Sequence, residues 1–249
     1  MDAMILAAGI GTRLKPLTDR TPKALIEVGG VTMLERIARR LIDAGADRII
    51  VNAHHHAMQI ERSAEQLAAN LHVEVLVSRE IDRPLETGGG LLYAAPLFRR
   101  GSPFFLHNVD LVTDFDLASM YATHERSGAL ATLAVNRRDT SRWLLFDEEG
   151  LRGREDERAG TTAAVREAAG GPLRIAFAGV HVVDPGIFDL ITERGTFSIL
   201  DAYLRLAGEG HRILPYDVSR ARWFEIGTTE RLDRARRLVT SREKRFPDA

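Results

Sequence analysis

A chain of 249 residues with 45% hydrophobic content is long enough to bury a sizeable core, and one domain spanning 1–249 is the expectation. Lys plus Arg (34) nearly balance Asp plus Glu (35), so the net charge of -1 argues against a general nucleic-acid binder and makes any phosphate recognition local. The absence of cysteine excludes disulfides, thiolate metal sites and cysteine nucleophiles.

The chain opens on Met4-Ile5-Leu6, a short apolar run suited to the first buried strand of a parallel sheet. It runs into Gly9 and Gly11, where the missing Cβ lets backbone N–H groups approach a phosphate closely. Arg13 adds a forked, always charged donor, and Lys23 adds a compact point charge after the stiffening Pro22. Two better known phosphate loops do not fit. A dinucleotide fingerprint needs a small residue where Leu14 stands, and a P-loop needs a Gly-Lys-Ser/Thr that is absent. A plain strand-to-helix turn accounts for a bare Gly-x-Gly, but not for Arg13, Pro22 and Lys23 beside it.

Apolar, β-rich runs recur at 48–53, 72–77, 103–107 and 129–135, separated by helical periodicity at 33–44 and 59–71. Such alternation predicts βαβ units and a mostly parallel sheet whose strand ends share one edge, where a ligand belongs. Gly9, Gly88 and Asp110 all follow or end such runs. The triplet His54-His55-His56 invites a metal reading, but consecutive residues do not share a face, so it reads as a surface loop. The stretch 142–171 is charged and rich in Gly, Glu and Arg, which predicts antiparallel strands and a mobile loop. Beyond it a strand is expected over 174–183, a helix over 198–206, a short strand over 211–216 and an amphipathic helix over 228–239. The polar residues 240–249 are expected to fray. The first core strand starts within four residues of Met1, and no apolar run is long enough for a bilayer, so cytoplasm is the expected compartment with no membrane partner.

The segment 6–25 resembles the signature of the sugar-1-phosphate nucleotidyltransferases, or NDP-sugar pyrophosphorylases. Four later motifs follow in that family's order: Leu85-Glu86-Thr87-Gly88-Gly89-Gly90, Asn108-Val109-Asp110, Phe177-Ala178-Gly179-Val180 and Trp223-Phe224-Glu225-Ile226-Gly227-Thr228. The compact length and the Glu-Thr-Gly-Gly-Gly run most resemble the N-acetylmuramate-1-phosphate uridylyltransferases and related short guanylyltransferases. The resemblance implies a Rossmann-like, GT-A-like α/β fold: a mostly parallel mixed sheet, helices on both faces and a small antiparallel insertion. It implies Mg²⁺-dependent transfer from UTP or GTP to a sugar-1-phosphate, with pyrophosphate released, by a monomer or homodimer. N-acetylmuramate-1-phosphate with UTP, a step toward cell wall precursors, is the first choice. Mannose- or heptose-1-phosphate with GTP is the second. A non-catalytic nucleotide-sugar-binding regulator and a choline-phosphate cytidylyltransferase of the same fold stay open.

Joining two anionic reactants calls for positioning and cations rather than a general base, which suits a chain without an obvious Ser/His/Asp arrangement. By resemblance Arg13 would hold the β/γ end of the triphosphate and Lys23 the α-phosphate or sugar phosphate. Asp110 and Glu225 would hold Mg²⁺, which needs only one or two carboxylates when phosphates and water complete its shell. Ala8, Gly9, Gly11, Thr12, Thr87 and Gly88 would line the nucleotide, with Asn52 near the base. Asn108, Glu86 and Gly179 would face the sugar, with 142–171 as an insertion over it. Three departures stand out. Glu225 replaces the family's usual Asp, and Val109 replaces a Gly, so the backbone there is expected to run differently. The Glu-Lys-Pro motif of many members is missing. Arg152, Arg154, Arg158 and Arg166 stand in that region instead.

Overall fold

The apolar runs become strands because their side chains alternate between two packed faces. The computed structural model describes residues 1–166 and 171–243. In chain order the elements are β1 (Asp2–Leu6), the hairpin β2 (Glu27–Val28) and β3 (Val31–Thr32), α1 (Met33–Asp43), β4 (Arg48–Ala53), α2 (Ala57–Leu71), β5 (Glu74–Arg79), α3 (Glu86–Ala94), β6 (Phe104–Asn108), β7 (Leu111–Thr113) and α4 (Leu117–Ser127). They continue with β8 (Ala131–Asn136), β9 (Arg142–Asp147), β10 (Gly150–Asp156), β11 (Thr161–Ala164), β12 (Leu173–Val183), α5 (Ile187–Leu190), α6 (Ile199–Gly208), β13 (Ile213–Asp217), β14 (Trp223–Glu225) and α7 (Thr229–Glu243).

The main sheet runs β11-β10-β9-β12-β6-β1-β4-β5, with β8 also beside β12 and β13 beside β8. The half that carries the first loop, β6-β1-β4-β5, is parallel. β12 enters antiparallel to β6, and β9 to β11 extend it as antiparallel strands, so the insertion prolongs the sheet rather than forming a separate layer.

Period-two alternation divides the core. Ala3 and Ile5 of β1, Ile49 and Val51 of β4 and Phe105 of β6 pack on one face with α1, α2, α4 and α7. Met4, Ile50, Phe104 and Leu106 pack on the other with α3 and α6. A strand covered on both faces has to be apolar throughout, which is why these runs were legible. α1 shows the same logic at helical period: Thr32 caps it by accepting from Glu35 N at 3.2 Å, and Leu34, Ile37 and Leu41 are buried. Each buried side chain of that kind stabilises the fold by about 1.5–3 kcal/mol relative to exposure.

Several elements differ from expectation. α3 contains Gly88-Gly89-Gly90, a run that disfavours helix, and the sequence did not mark it as one. Packing overrides propensity there: a Cβ on Gly88 would lie 2.3 Å from the Phe197 ring, on Gly89 2.2 Å from the Gly195 carbonyl, and on Gly90 2.7 Å from Glu80 Oε1. At Val109 the chain takes no positive φ. Its N–H donates to Leu6 O at 3.2 Å, and its side chain joins the core. The expected frayed tail is helical through Glu243, and its remainder lies outside the described residues, as does 167–170 of the expected mobile loop. Among the described residues no helix is long and apolar enough to cross a membrane.

Candidate active site

The parallel half of the sheet delivers its loops to one edge, and a buried polar strut ties two of them together. Asn52, at the end of β4, accepts through Oδ1 from Ala7 N at 2.6 Å and Ala8 N at 3.3 Å. Its Nδ2 donates to Glu80 Oε1 at 2.8 Å, and Glu80 Oε2 accepts from Leu85 N, also at 2.8 Å, just before α3. Both side chains are 2% exposed, so their polar atoms must find partners inside. Asn52, expected near the base, thus lies beneath the loop, with one Nδ2 hydrogen given to Glu80. Glu80 carried no sequence signal, because a single acid at a strand end says nothing about what lies across from it.

Above the strut, Gly9 is exposed with nothing within reach of a Cβ, so the loop presents open backbone there. Gly11 turns the chain at φ +69°, its carbonyl accepting from Thr18 Oγ1 at 2.8 Å and from Leu14 N at 2.9 Å. Thr12 and Arg13 stand exposed on a turn that buried Leu14 anchors.

Lys23 donates from Nζ to Asp110 Oδ2, across 87 residues of chain. Asp110 follows β6, and its carbonyl accepts from Ile226 N at 2.9 Å. The β7–β14 ladder sets Glu225 opposite Leu111 and so brings the second acid beside the first. Glu225 Oε1 accepts from Arg13 Nη2 at 3.4 Å and Oε2 from Arg231 Nη1 at 2.5 Å. The longer acid folds back over Gly227, where a Cβ would sit 2.3 Å from Oε1. Arg231 was not found from sequence: it is one of many arginines in a charged helix.

A cavity of about 1210 Å³ opens at this edge, lined by Arg13, Glu86, Asn108, Asp110, Gly179 and Glu225 and walled on its far side by β9 and β10. Gly179 takes φ +82° where the pairing of β12 with β8 shifts, and a Cβ there would strike Leu111 Cδ1 at 2.5 Å. Trp223 Nε1 donates to Ala178 O at 2.8 Å, and the Arg138 guanidinium stacks 4.1 Å above the Trp223 ring. Burial lowers the Arg138 pKa, and the Glu225 charge acts against that shift. Of the insertion's arginines, Arg154 and Arg158 line the cavity, whereas Arg166 is tied to Asp147 and Glu149.

Two residues expected on the nucleotide side also have structural partners. Thr87 Oγ1 accepts from Ile199 N at 3.0 Å, and the Gly88 N–H donates to Phe197 O at 2.9 Å. Both contacts tie α3 to the segment before α6.

Behind the site sit two buried histidines. The His107 Nδ1–H donates to Asn108 O at 2.7 Å, and burial lowers its pKa to about 4. His181, hydrogen-bonded with Tyr203 Oη at 3.2 Å, is lowered to about 3 for the same reason.

The sequence profile described as nucleotidyl transferase matches residues 2–242. The chain belongs to the nucleotidyl transferase family. It is 34% identical over 217 residues to the N-acetylmuramate alpha-1-phosphate uridylyltransferase of Caulobacter vibrioides, covering 84% of this chain and 85% of that one. The enzyme of the same description from Neisseria meningitidis is 32% identical, covering 96% and 98%. The mannose-1-phosphate guanylyltransferase catalytic subunit beta of Drosophila melanogaster is 31% identical, covering 78% of this chain and 51% of that one. Among solved structures, a UDP-glucose pyrophosphorylase from Acinetobacter baumannii shares the fold, with a TM-score of 0.77 at 20% identity, covering 99% and 94%.

This nucleotidyl transferase is thus a sugar-1-phosphate nucleotidyltransferase with the expected Rossmann-like fold. The regulator reading rested on Val109 and Glu225, and both have an ordinary structural account. Nucleotidyl transferase chemistry needs cations beside two phosphates, and the edge carries three, Arg13, Lys23 and Arg231, against the carboxylates of Asp110 and Glu225. The same carboxylates suit a hard divalent cation. Among the described residues no group of three or more metal-ligating side chains exists, so a cation there has to take the rest of its shell from substrate and water.

Proposed function

We propose that the protein transfers a uridylyl group from UTP to N-acetylmuramate-1-phosphate, as a single nucleotidyltransferase domain working in the cytoplasm as monomer or homodimer. The observation that carries the chemistry is the paired arrangement of Lys23 on Asp110 and Arg13 on Glu225 at one cavity edge. The choice of substrate is supported by the relatives from Caulobacter and Neisseria, which match along most of their own length.

The attacking group is an oxygen of the sugar phosphate, mostly ionised at neutral pH because its second pKa is about 6, so no base is required. The new bond forms to the α-phosphorus as the bond to the β-phosphate oxygen breaks, and the electron pair departs on pyrophosphate. Lys23 neutralises charge at the α-phosphate, and Arg13 holds the β/γ end and then the leaving group. Ala8, Gly9, Gly11 and Thr12 line the nucleotide, with open backbone at Gly9. Asn108, Glu86 and Gly179 face the sugar, with strands of 142–171 as its outer wall. Asp110 and Glu225 would hold Mg²⁺, which supplies Lewis-acid neutralisation of the triphosphate.

The test is a matrix of UTP, GTP and CTP against a panel of sugar-1-phosphates with Mg²⁺, read as pyrophosphate release. Turnover with UTP and N-acetylmuramate-1-phosphate is expected. Preference for GTP with mannose-1-phosphate, favoured by the likeness to the Drosophila subunit, would replace that substrate. Absence of pyrophosphate from every pair would overturn the reading.

A further inference from the structure

The Glu225 carboxylate is held from two sides by guanidiniums that come from the first loop and from the last helix. Oε1 meets Arg13 at 3.4 Å and Oε2 meets Arg231 at 2.5 Å. The two arginines are 65% and 54% exposed in their side chains, while the carboxylate between them is 21% exposed. All three line the cavity, and so does Arg234, whose guanidinium lies 5.8 Å from the Phe224 ring. One carboxylate therefore bridges two forked donors and leaves them with net positive charge.

That arrangement is an anion site filled by a side chain. Arginine forks match phosphate as well as carboxylate, and a phosphoryl group offers three oxygens and about two charges where the carboxylate offers two oxygens and one. Room exists because residue 227 is glycine: a Cβ would lie 2.3 Å from Oε1 and 3.2 Å from Arg13 Nη2. The β7–β14 ladder sets Glu225 near Asp110 in the backbone, so a divalent cation held with Asp110 would draw the carboxylate away from the arginines.

We propose that Arg231 is a direct ligand of the pyrophosphate leaving group, shared with Arg13, and that Glu225 fills that place in the free enzyme. This assignment rests on the reaction above releasing pyrophosphate. Glu225 and pyrophosphate are then competitors for the same two cations, so removing the Glu225 charge strengthens metal-free pyrophosphate binding even as it harms catalysis. A group that served only as a metal ligand, with Arg231 as its prop, would leave Arg231 without effect once Glu225 was neutral.

The experiment titrates inorganic pyrophosphate into the full chain in the presence of a chelator, for wild type, Glu225→Gln, Arg231→Gln and the double variant. Glu225→Gln is expected to bind several-fold tighter than wild type. Arg231→Gln is expected to weaken binding about tenfold in both backgrounds, the loss of one charge-assisted hydrogen bond. If Arg231→Gln changes nothing in the Glu225→Gln background, the assignment fails while pyrophosphate release stands. If no form binds pyrophosphate, with chelator or with Mg²⁺, the assignment fails, and pyrophosphate release in the activity matrix decides the underlying function separately. Arg231 is more than half exposed, so its replacement leaves the core untouched.

Discussion

Lys23 and Asp110 neutralise each other across the mouth of the site, joining the lysine of the 6–25 signature to the acid that follows β6. Both charges are partly buried, with side chains 11% and 20% exposed, and each is held against its partner. Substrate phosphate can take the ammonium, and a cation the carboxylate.

Replacing Asp110 by Asn keeps an oxygen that accepts from Lys23 while removing the charge. Turnover is expected to fall about a hundredfold or more, the scale of losing one preorganised charge-stabilising group. The melting temperature is expected to stay within a few degrees. Steady-state pyrophosphate release and a thermal melt decide it, and wild-type rates would remove Asp110 from the chemistry.

The strut beneath the loop makes a different prediction. Glu80 accepts from Asn52 Nδ2 and from Leu85 N, one donor on each oxygen. In Glu80→Gln one oxygen becomes an NH₂ facing another donor, a buried mismatch costing about 1–3 kcal/mol. Urea unfolding is expected to register that loss, and KM for the nucleotide to rise while KM for the sugar-1-phosphate holds. Unchanged stability would mean the strut carries no weight.

Gly89→Ala sets two effects against each other. Helix propensity favours Ala by about 1 kcal/mol. The added Cβ, however, would lie 2.2 Å from the Gly195 carbonyl oxygen, which is backbone and cannot rotate away. Overpacking of this kind costs typically 1–3 kcal/mol or more, so a net loss of stability is expected. A variant more stable than wild type would show that α3 can shift cheaply.

His107 and His181 predict an acid-sensitive fold. Their folded pKa values, about 4 and about 3, lie below the ordinary 6.5, because burial disfavours the charged ring. Below pH 6.5 the unfolded chain takes up protons that the folded one refuses. Stability is therefore full above 6.5 and falls as pH drops toward 4, by up to about 1.4 kcal/mol per pH unit for each ring. Urea midpoints at pH 7.5, 6 and 5 should decline, with a shallower slope in His181→Gln. A flat profile across that window would contradict it.

Much of this was readable in one dimension. Met4-Ile5-Leu6 and the later apolar runs announced strands because a sheet covered on both faces admits few polar residues, and the loop from Gly9 to Lys23 announced phosphate chemistry because its residue types and spacing are local facts. The pairing of Lys23 with Asp110, and of Arg13 with Glu225 across 212 residues, was decided only when β6 and the β7–β14 ladder brought those segments to one edge. The same holds for partners that no local pattern marked. Asn52, Thr87 and Gly88 meet Glu80, Ile199 and Phe197, and Arg231 had no distinction until α7 aimed it at Glu225. Residue type and spacing determine what a side chain can do; which partner it meets is set by packing between segments far apart in the chain, and no local pattern encodes that.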